Sequence, residues 1–214
     1  MRAIPSGLSL LLLAGAPALA QQAAAPRLPF NPFAEASEGD WMVFEMKVVA
    51  GENVISSTIA CKVARVTDDE VTLRSTQLEP EPGAPEPETQ EQTFSRKEPP
   101  DLSRYVFDDA GMPIEGLETS DEARELGEGK RLDCKLLSFA VADPADPAER
   151  VKVKLWISPQ VRSTALVGAE LRGATISMDS KVLGWGTAKE TGWGKTVDQV
   201  KAELARAAEA PRKE

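Results

Sequence analysis

The chain has 214 residues, 34 acidic against 25 basic side chains, a net charge of −9 and no histidine. An acidic chain without a basic cluster is poorly suited to nucleic acid or anionic membranes, because both require grouped lysine and arginine. Without histidine it lacks the commonest general base, the usual partner of a serine or cysteine nucleophile and the commonest zinc ligand. We therefore expect no enzyme activity, no metal and no cofactor.

Residues 1–20 are typical of an export signal. Arg2 gives a positive start, residues 8–15 form a short apolar run, and Ala18-Leu19-Ala20 is a small-x-small cleavage site. The apolar run is too short to span a bilayer, and no later stretch is long enough. We expect cleavage after Ala20, export to the periplasm or the cell exterior, and no transmembrane segment.

Residues 21–39 (QQAAAPRLPFNPFAEASEG) form an alanine- and proline-rich leader without a period. Two alternatives remain open for Phe30 and Phe33. Either these rings pin the leader to the following domain, or they are exposed in a mobile segment.

Residues 40–190 predict an antiparallel β domain. Met42, Phe44, Met46 and Val48 alternate along the first strand and share one face. Short turns between strands favour antiparallel pairing, and many short strands bury one apolar face best in a curved sheet or open barrel. The sequence thus predicts a mainly β fold of about eight or nine strands. The predicted strands are 41–49, 54–66, 71–77, 89–96, 105–107, 130–141, 151–158, 165–173 and 175–183.

Three segments predict other structure. Residues 119–127 (TSDEARELG) have the cap, acidic start and final glycine of a short internal helix. Within 191–214, the amphipathic stretch 196–210 predicts a C-terminal helix followed by a tail. Residues 78–91 (LEPEPGAPEPETQE) predict an extended, disordered loop, because prolines and glutamates neither pair regularly nor bury apolar area.

Cys61 and Cys134 are the two cysteines. Export permits a disulfide between them, which would contribute roughly 3–4 kcal/mol in the chain-entropy model. The alternative is two separate buried thiols that behave as small hydrophobic side chains.

The four tryptophans are candidate functional residues. Trp185 and Trp193 each lie between glycines, which suits either an exposed contact residue or tight packing at a sheet edge. Trp41 and Trp156 lie in apolar strands and belong either to the core or to a cavity wall. With Met42, Phe44 and Met46, Trp41 and Trp156 form the predicted ligand-lining set.

Two segments carry a resemblance to known proteins: Asn31-Pro32-Phe33 to Phe44, with its Gly39-Asp40-Trp41, and residues 155–161 (LWISPQV). They resemble a family of exported bacterial proteins that is similar to open β-barrels of the periplasmic lipoprotein-carrier kind. The resemblance implies a concave apolar sheet, covered by helices, that holds acyl chains.

The leading hypothesis is an exported, non-enzymatic binding or carrier-like domain for a lipid, a lipoprotein or another apolar partner. The alternative is a structural or protein-interaction protein of the cell envelope, without a ligand cavity, that uses the Gly-Trp-Gly segments as a contact. An apolar cavity of roughly 300 Å³ or more favours the carrier. A filled core with an exposed apolar patch favours the interaction protein.

Overall fold

A computed structural model describes most of the chain. The predicted signal peptide and the central part of the proline-glutamate tract lie outside the described residues. The described ranges are 26–79, 89–107, 113–127, 129–143 and 146–209.

The described residues form ten β-strands and two short helices. The strands are β1 (Trp41–Ala50), β2 (Asn53–Val66), β3 (Glu70–Gln77), β4 (Thr89–Ser95), β5 (Glu115–Gly127), β6 (Lys130–Ala142), β7 (Arg150–Ile157), β8 (Leu166–Arg172), β9 (Ile176–Gly186) and β10 (Thr191–Gly194). The helices are α1 (Leu102–Phe107) and α2 (Val197–Glu209).

All the strands belong to one antiparallel sheet. The order is β4-β3-β2-β1-β9-β8-β7-β6-β5, and β10 pairs with the end of β9. Because β4 and β5 lie at opposite ends of this order, the sheet is open rather than a closed barrel. The predicted mainly β, antiparallel fold is confirmed. We call the side of the sheet that faces α1 the inner face and the opposite side the outer face.

The predicted internal helix at 119–127 is wrong, because this segment belongs to strand β5. Its residues pair with β6 in register, for example Ser120 with Leu136 and Arg124 with Leu132. The local cap and charge signals favour a helix only weakly, since a short helix without a buried apolar face has little to stabilise it. Pairing along the thirteen residues of β5 outweighs those signals.

The short strand predicted at 105–107 is also wrong, because it lies in α1. The Asp101 carboxylate caps this helix by accepting hydrogen bonds from the amides of Ser103 and Arg104, at 2.9 and 3.3 Å. The described part of the chain therefore does contain a short internal helix, but between β4 and β5 rather than within 119–127.

The leader packs on the inner face, which agrees with the first of the two alternatives, that its phenylalanines pin it to the domain. Phe33 has no exposed surface, and its ring stacks on Phe94 of β4 with centroids 4.7 Å apart. The leader also pairs with the start of α1, since the Leu102 amide donates to the Pro26 carbonyl at 2.8 Å. The leader thus covers part of the sheet and holds α1 in place.

The outer face is covered by α2, whose prediction over 196–210 is confirmed within one residue at each end. Val200 is 3% exposed and packs on Val43 and Ala60 of the sheet. Strand β1 is therefore buried on both faces, which matters for the assignment of inward-pointing side chains. The sequence did not predict the short strand β10.

Candidate functional site

A small apolar cavity lies between the inner face and α1, with a volume of about 100 Å³. Seven strands and α1 contribute to its wall, so it lies where the sheet curves around the helix. The lining residues are Met42, Phe44, Met46, Cys61, Leu73, Ser75, Gln92, Phe94, Tyr105, Val106, Leu155, Thr164, Leu166, Ala169, Leu171, Met178 and Ser180.

No charged side chain lines this cavity. Its polar groups are mostly bonded within the protein. The Ser180 hydroxyl accepts a hydrogen bond from the Ala169 amide at 2.9 Å, and the Tyr105 hydroxyl donates to the Thr164 carbonyl. The cavity is therefore suited to an uncharged, mainly apolar occupant, because an unpaired charge would be costly to bury there.

The two titratable groups in the wall stay neutral. Burial raises the pKa of the Cys61 thiol to about 11, although its hydrogen bond with Ser75, 3.1 Å long, acts in the opposite direction. Burial also raises the pKa of the Tyr105 hydroxyl, and the nearby Cys61 adds to that effect. Neither group brings a charge into the cavity near neutral pH.

The cavity is smaller than the roughly 300 Å³ expected of a ligand site. A ligand of ordinary size therefore fits only if part of the wall moves. The smallest covering element is α1, a six-residue helix held by the leader and by the bond from Tyr105 to Thr164. Movement of α1 is the simplest way to enlarge the space.

Three of the five predicted ligand-lining residues lie at this cavity: Met42, Phe44 and Met46. Trp41 does not line it. Its indole N–H donates to the Thr187 carbonyl at 3.1 Å, and its ring packs with the cluster beneath α2.

Trp156 also lies away from the cavity. It alternates with Leu155 along β7 and so points to the outer face. Its indole N–H donates to the Glu122 carboxylate at 3.1 Å, and the Arg124 guanidinium lies 3.9 Å from the ring centroid. Arg124, and not an apolar ligand, therefore occupies the face of this ring.

The Gly-Trp-Gly repeats meet each other where β10 pairs with β9. Trp185 is 5% exposed, and its ring lies 5.2 Å from that of the half-buried Trp193. A Cβ at Gly184 would lie 2.2 Å from the Lys195 carbonyl oxygen, so the backbones approach too closely for any other residue. Of the two alternatives for the tryptophans between glycines, Trp185 therefore follows tight packing at the sheet, and its ring is buried rather than exposed as a contact residue.

The predicted disulfide is wrong: Cys61 and Cys134 are separate buried thiols, the other alternative. Cys61 lies on β2 and Cys134 on β6, and four strands lie between these two in the sheet. Neighbouring strands are about 4.8 Å apart, whereas bridged Cα atoms lie within about 7 Å. Alternation along each strand identified both residues as buried but said nothing about strand order.

A second, wider groove of about 760 Å³ opens on the surface beside β5 and β6. Its walls come from the leader, the two strands and residues 158–162. The groove carries both signs of charge, and Lys135 pairs with Asp121 at 2.6 Å. This mixed lining shows no preference for one ligand class.

Sequence reasoning missed Tyr105, Ser75 and Gln92 at the apolar cavity. Tyr105 belongs to the helix that was predicted as a strand. Ser75 and Gln92 each lie two residues from a buried side chain, Leu73 and Phe94, and so share their face, which is the available signal.

Within the described ranges, no group of three or more histidine, cysteine, aspartate or glutamate side chains is arranged to hold a metal ion. No helix in the same part of the chain combines the length and the apolar character needed to cross a membrane.

No family model matches the chain, and the search of curated proteins likewise returns no match. Comparison with solved structures finds a putative outer membrane lipoprotein-sorting protein domain from Vibrio parahaemolyticus. That domain is 10% identical, the match covers 79% of this chain and 92% of that chain, and the TM-score is 0.30. So low a TM-score does not establish a shared fold, and the match assigns no function to this chain.

Proposed function

We propose that this protein is an exported, non-enzymatic binding or carrier-like protein for an apolar ligand. The observation that carries the proposal is the uncharged cavity between the inner face and α1. Export is part of the proposal because residues 1–20 have the pattern of a signal peptide.

An apolar ligand would gain from burial in this cavity. Its surface would leave water and pack against the apolar atoms that line the space of about 100 Å³. Met42, Met46 and Met178 in the wall are flexible side chains that adapt to the shape of an occupant.

Binding requires α1 to move away from the sheet. The helix has six residues, so it has little stability of its own and depends on its contacts with the leader and the sheet. Movement of the helix breaks the bond from the Tyr105 hydroxyl to the Thr164 carbonyl and the bond from Arg104 to the Thr93 carbonyl, while the sheet beneath keeps its ladder intact. The proposed binding motion thus disturbs few bonds.

The direct test is titration of the purified chain with N-phenyl-1-naphthylamine, a neutral apolar probe that fluoresces when transferred out of water. We expect the wild type to bind it. Phe44→Ala should weaken binding several-fold, because the ring contributes contact area to the ligand. Its cost in folding stability should fall below the about 3–5 kcal/mol usual for a core phenylalanine, since the ring borders empty space.

Two further variants make the test specific. Ala169→Leu adds bulk to the cavity wall and should abolish probe binding. Val43→Ala truncates a buried side chain on the outer face of the same strand as Phe44, so probe affinity should be unchanged. A wild type that does not bind the probe would overturn the proposal and favour the envelope interaction protein.

A further inference from the structure

We propose that the apolar cavity selects an uncharged molecule that carries a carbonyl group, such as an ester or amide, and that Gln92 and Ser75 determine this selectivity. This inference rests on the proposed function, because it specifies the ligand of the same cavity. The inference specifies the polar group at the end of the ligand's apolar chain. The apolar lining of the cavity alone does not determine that group.

The wall of the cavity carries no charge. None of the lining side chains is charged, and burial keeps Cys61 and Tyr105 neutral. A carboxylate or an ammonium group drawn into this space would lose its water without gaining a partner of opposite charge. The wall therefore disfavours ionic ligands of either sign.

The cavity has a polar rim on the β3–β4 side, formed by Gln92 and Ser75. Gln92 and Ser75 line the cavity and are half-buried, whereas Leu73 and Phe94 on the same face are buried. Within the described residues the Gln92 amide group has no hydrogen-bond partner. A ligand with its apolar chain against Phe44 and its polar group at this rim would satisfy both kinds of surface.

The chemistry of the two rim side chains suits a carbonyl group. The Gln92 amide carries two N–H donors, which suit a carbonyl oxygen. The Ser75 hydroxyl lies 3.1 Å from the Cys61 sulfur; when it accepts the thiol hydrogen, its own O–H is free to donate to a ligand carbonyl. Together they offer neutral hydrogen bonds to an ester or amide carbonyl.

Arg104 of α1 is a cation close to β4, and it is the basis of the alternative result, an anionic ligand. Its guanidinium lies 5.9 Å from the Phe94 ring centroid and donates to the Thr93 carbonyl at 3.2 Å. Arg104 is exposed and does not line the cavity, so we expect it to make little contribution to ligand choice. A carboxylate ligand would need this residue.

The experiment displaces bound N-phenyl-1-naphthylamine from the full chain with four compounds that share a ten-carbon chain: methyl decanoate, decane, decanoate and decylammonium. Methyl decanoate should displace the probe at concentrations at least about tenfold lower than either ion, because ions lose hydration on entry. The use of both signs of ion separates this effect from attraction or repulsion by the net charge of −9.

Gln92→Leu tests the rim directly. It should weaken methyl decanoate about threefold to tenfold, the usual net effect of one hydrogen bond, while decane is unaffected. Ser75→Ala should act in the same direction and covers the case in which Gln92→Leu folds poorly. Thr93→Val, on the same strand but the opposite face, is the matched control and should leave all four compounds unchanged.

Each result has a distinct meaning. Carbonyl selectivity is overturned if all four compounds displace the probe equally. It is also overturned if Gln92→Leu weakens the binding of decane and of methyl decanoate by the same factor. Either result is still consistent with apolar binding. Stronger displacement by decanoate overturns it in favour of Arg104 as an anion site. Failure of the wild type to bind the probe rejects the proposed function itself.

Discussion

At the scale of single residues, Cys61 shows how burial controls side-chain chemistry in this sheet. It is 4% exposed on the inner face, beside Ser75. Burial disfavours the thiolate because the charged form would lose its hydration, and the pKa rises from 9.0 to about 11. The thiol is therefore a small apolar side chain rather than a nucleophile at neutral pH.

This shift predicts a pH dependence of stability with a definite sign. The unfolded thiol loses its proton near pH 9.0 and the folded thiol only near 11, so rising pH favours the unfolded state. The contribution of Cys61 is complete below pH 9 and is lost between pH 9 and 11, with a total of up to about 3 kcal/mol.

Urea unfolding of wild type and Cys61→Ala at several pH values from 8 to 11 measures this contribution. Lysine titration affects both proteins, so the difference between their profiles reports Cys61 together with its effect on the pKa of Tyr105. We expect the wild type to lose more stability than the variant as pH rises. Parallel profiles would show that the folded thiol titrates at its ordinary pH.

Residue alternation predicted part of the cavity wall and failed for definite reasons. Met42, Phe44 and Met46 were found because they repeat with period two on β1. Alternation could not decide which face of a strand lines a cavity when both faces are buried, as in β1. The spacing from Phe94 places Gln92 on the inner face, but a glutamine in a polar edge strand does not by itself indicate a cavity.

At the scale of elements, the errors fall where tertiary pairing overrides local signals. Strand β5 is mostly exposed, so its charged sequence shows little of the alternation that identifies a strand. Its β structure follows from pairing with β6, which the local sequence does not encode. The strands β1, β2, β6 and β7 were predicted well because each has a long buried face with clear alternation.

The contribution of the leader to folding stability can be tested by truncating its buried phenylalanine. Phe33 has no exposed surface and stacks on Phe94, so Phe33→Ala should destabilise the protein by about 3–5 kcal/mol. Phe30→Ala is the matched control and should cost less, because Phe30 is half-buried. Chemical denaturation of both variants provides the measurement.

A loss of less than about 1 kcal/mol for Phe33→Ala would mean that the leader does not stabilise the fold, contrary to its packing. The same experiment bears on α1, since the leader pairs with the start of that helix. Weaker holding of α1 should raise amide exchange in 102–107 before the sheet is affected.

At the scale of the whole molecule, the open sheet is completed by elements on both faces. The leader and α1 cover the inner face, and α2 covers part of the outer face. The two edges remain, and β5 at one of them carries five acidic residues. Like charges oppose pairing between two β5 edges, which limits aggregation through this strand.

Replacement of the proline-glutamate tract shows whether the fold requires this segment for its stability. Residues 80–88 lie outside the described residues, whereas both flanks belong to the fold. Leu78 packs with the cluster beneath α2, and Glu91 of β4 pairs with Arg74 at 2.7 Å. The predicted loop 78–91 is therefore too long at its C-terminal end, because residues 89–91 form the start of β4.

Replacement of residues 80–88 by a glycine-serine linker of equal length should leave the melting temperature within a few degrees of the wild type. Closing a loop depends only weakly on its length and composition, with about 0.6 kcal/mol for each doubling of length. A variant that replaces 78–91 should melt much lower, because it also removes the Leu78 contact and part of β4. A similarly large loss for the 80–88 variant would show that those nine residues pack on the domain. Equal stability of the two variants would instead mean that the start of β4 contributes nothing, against its pairing with β3.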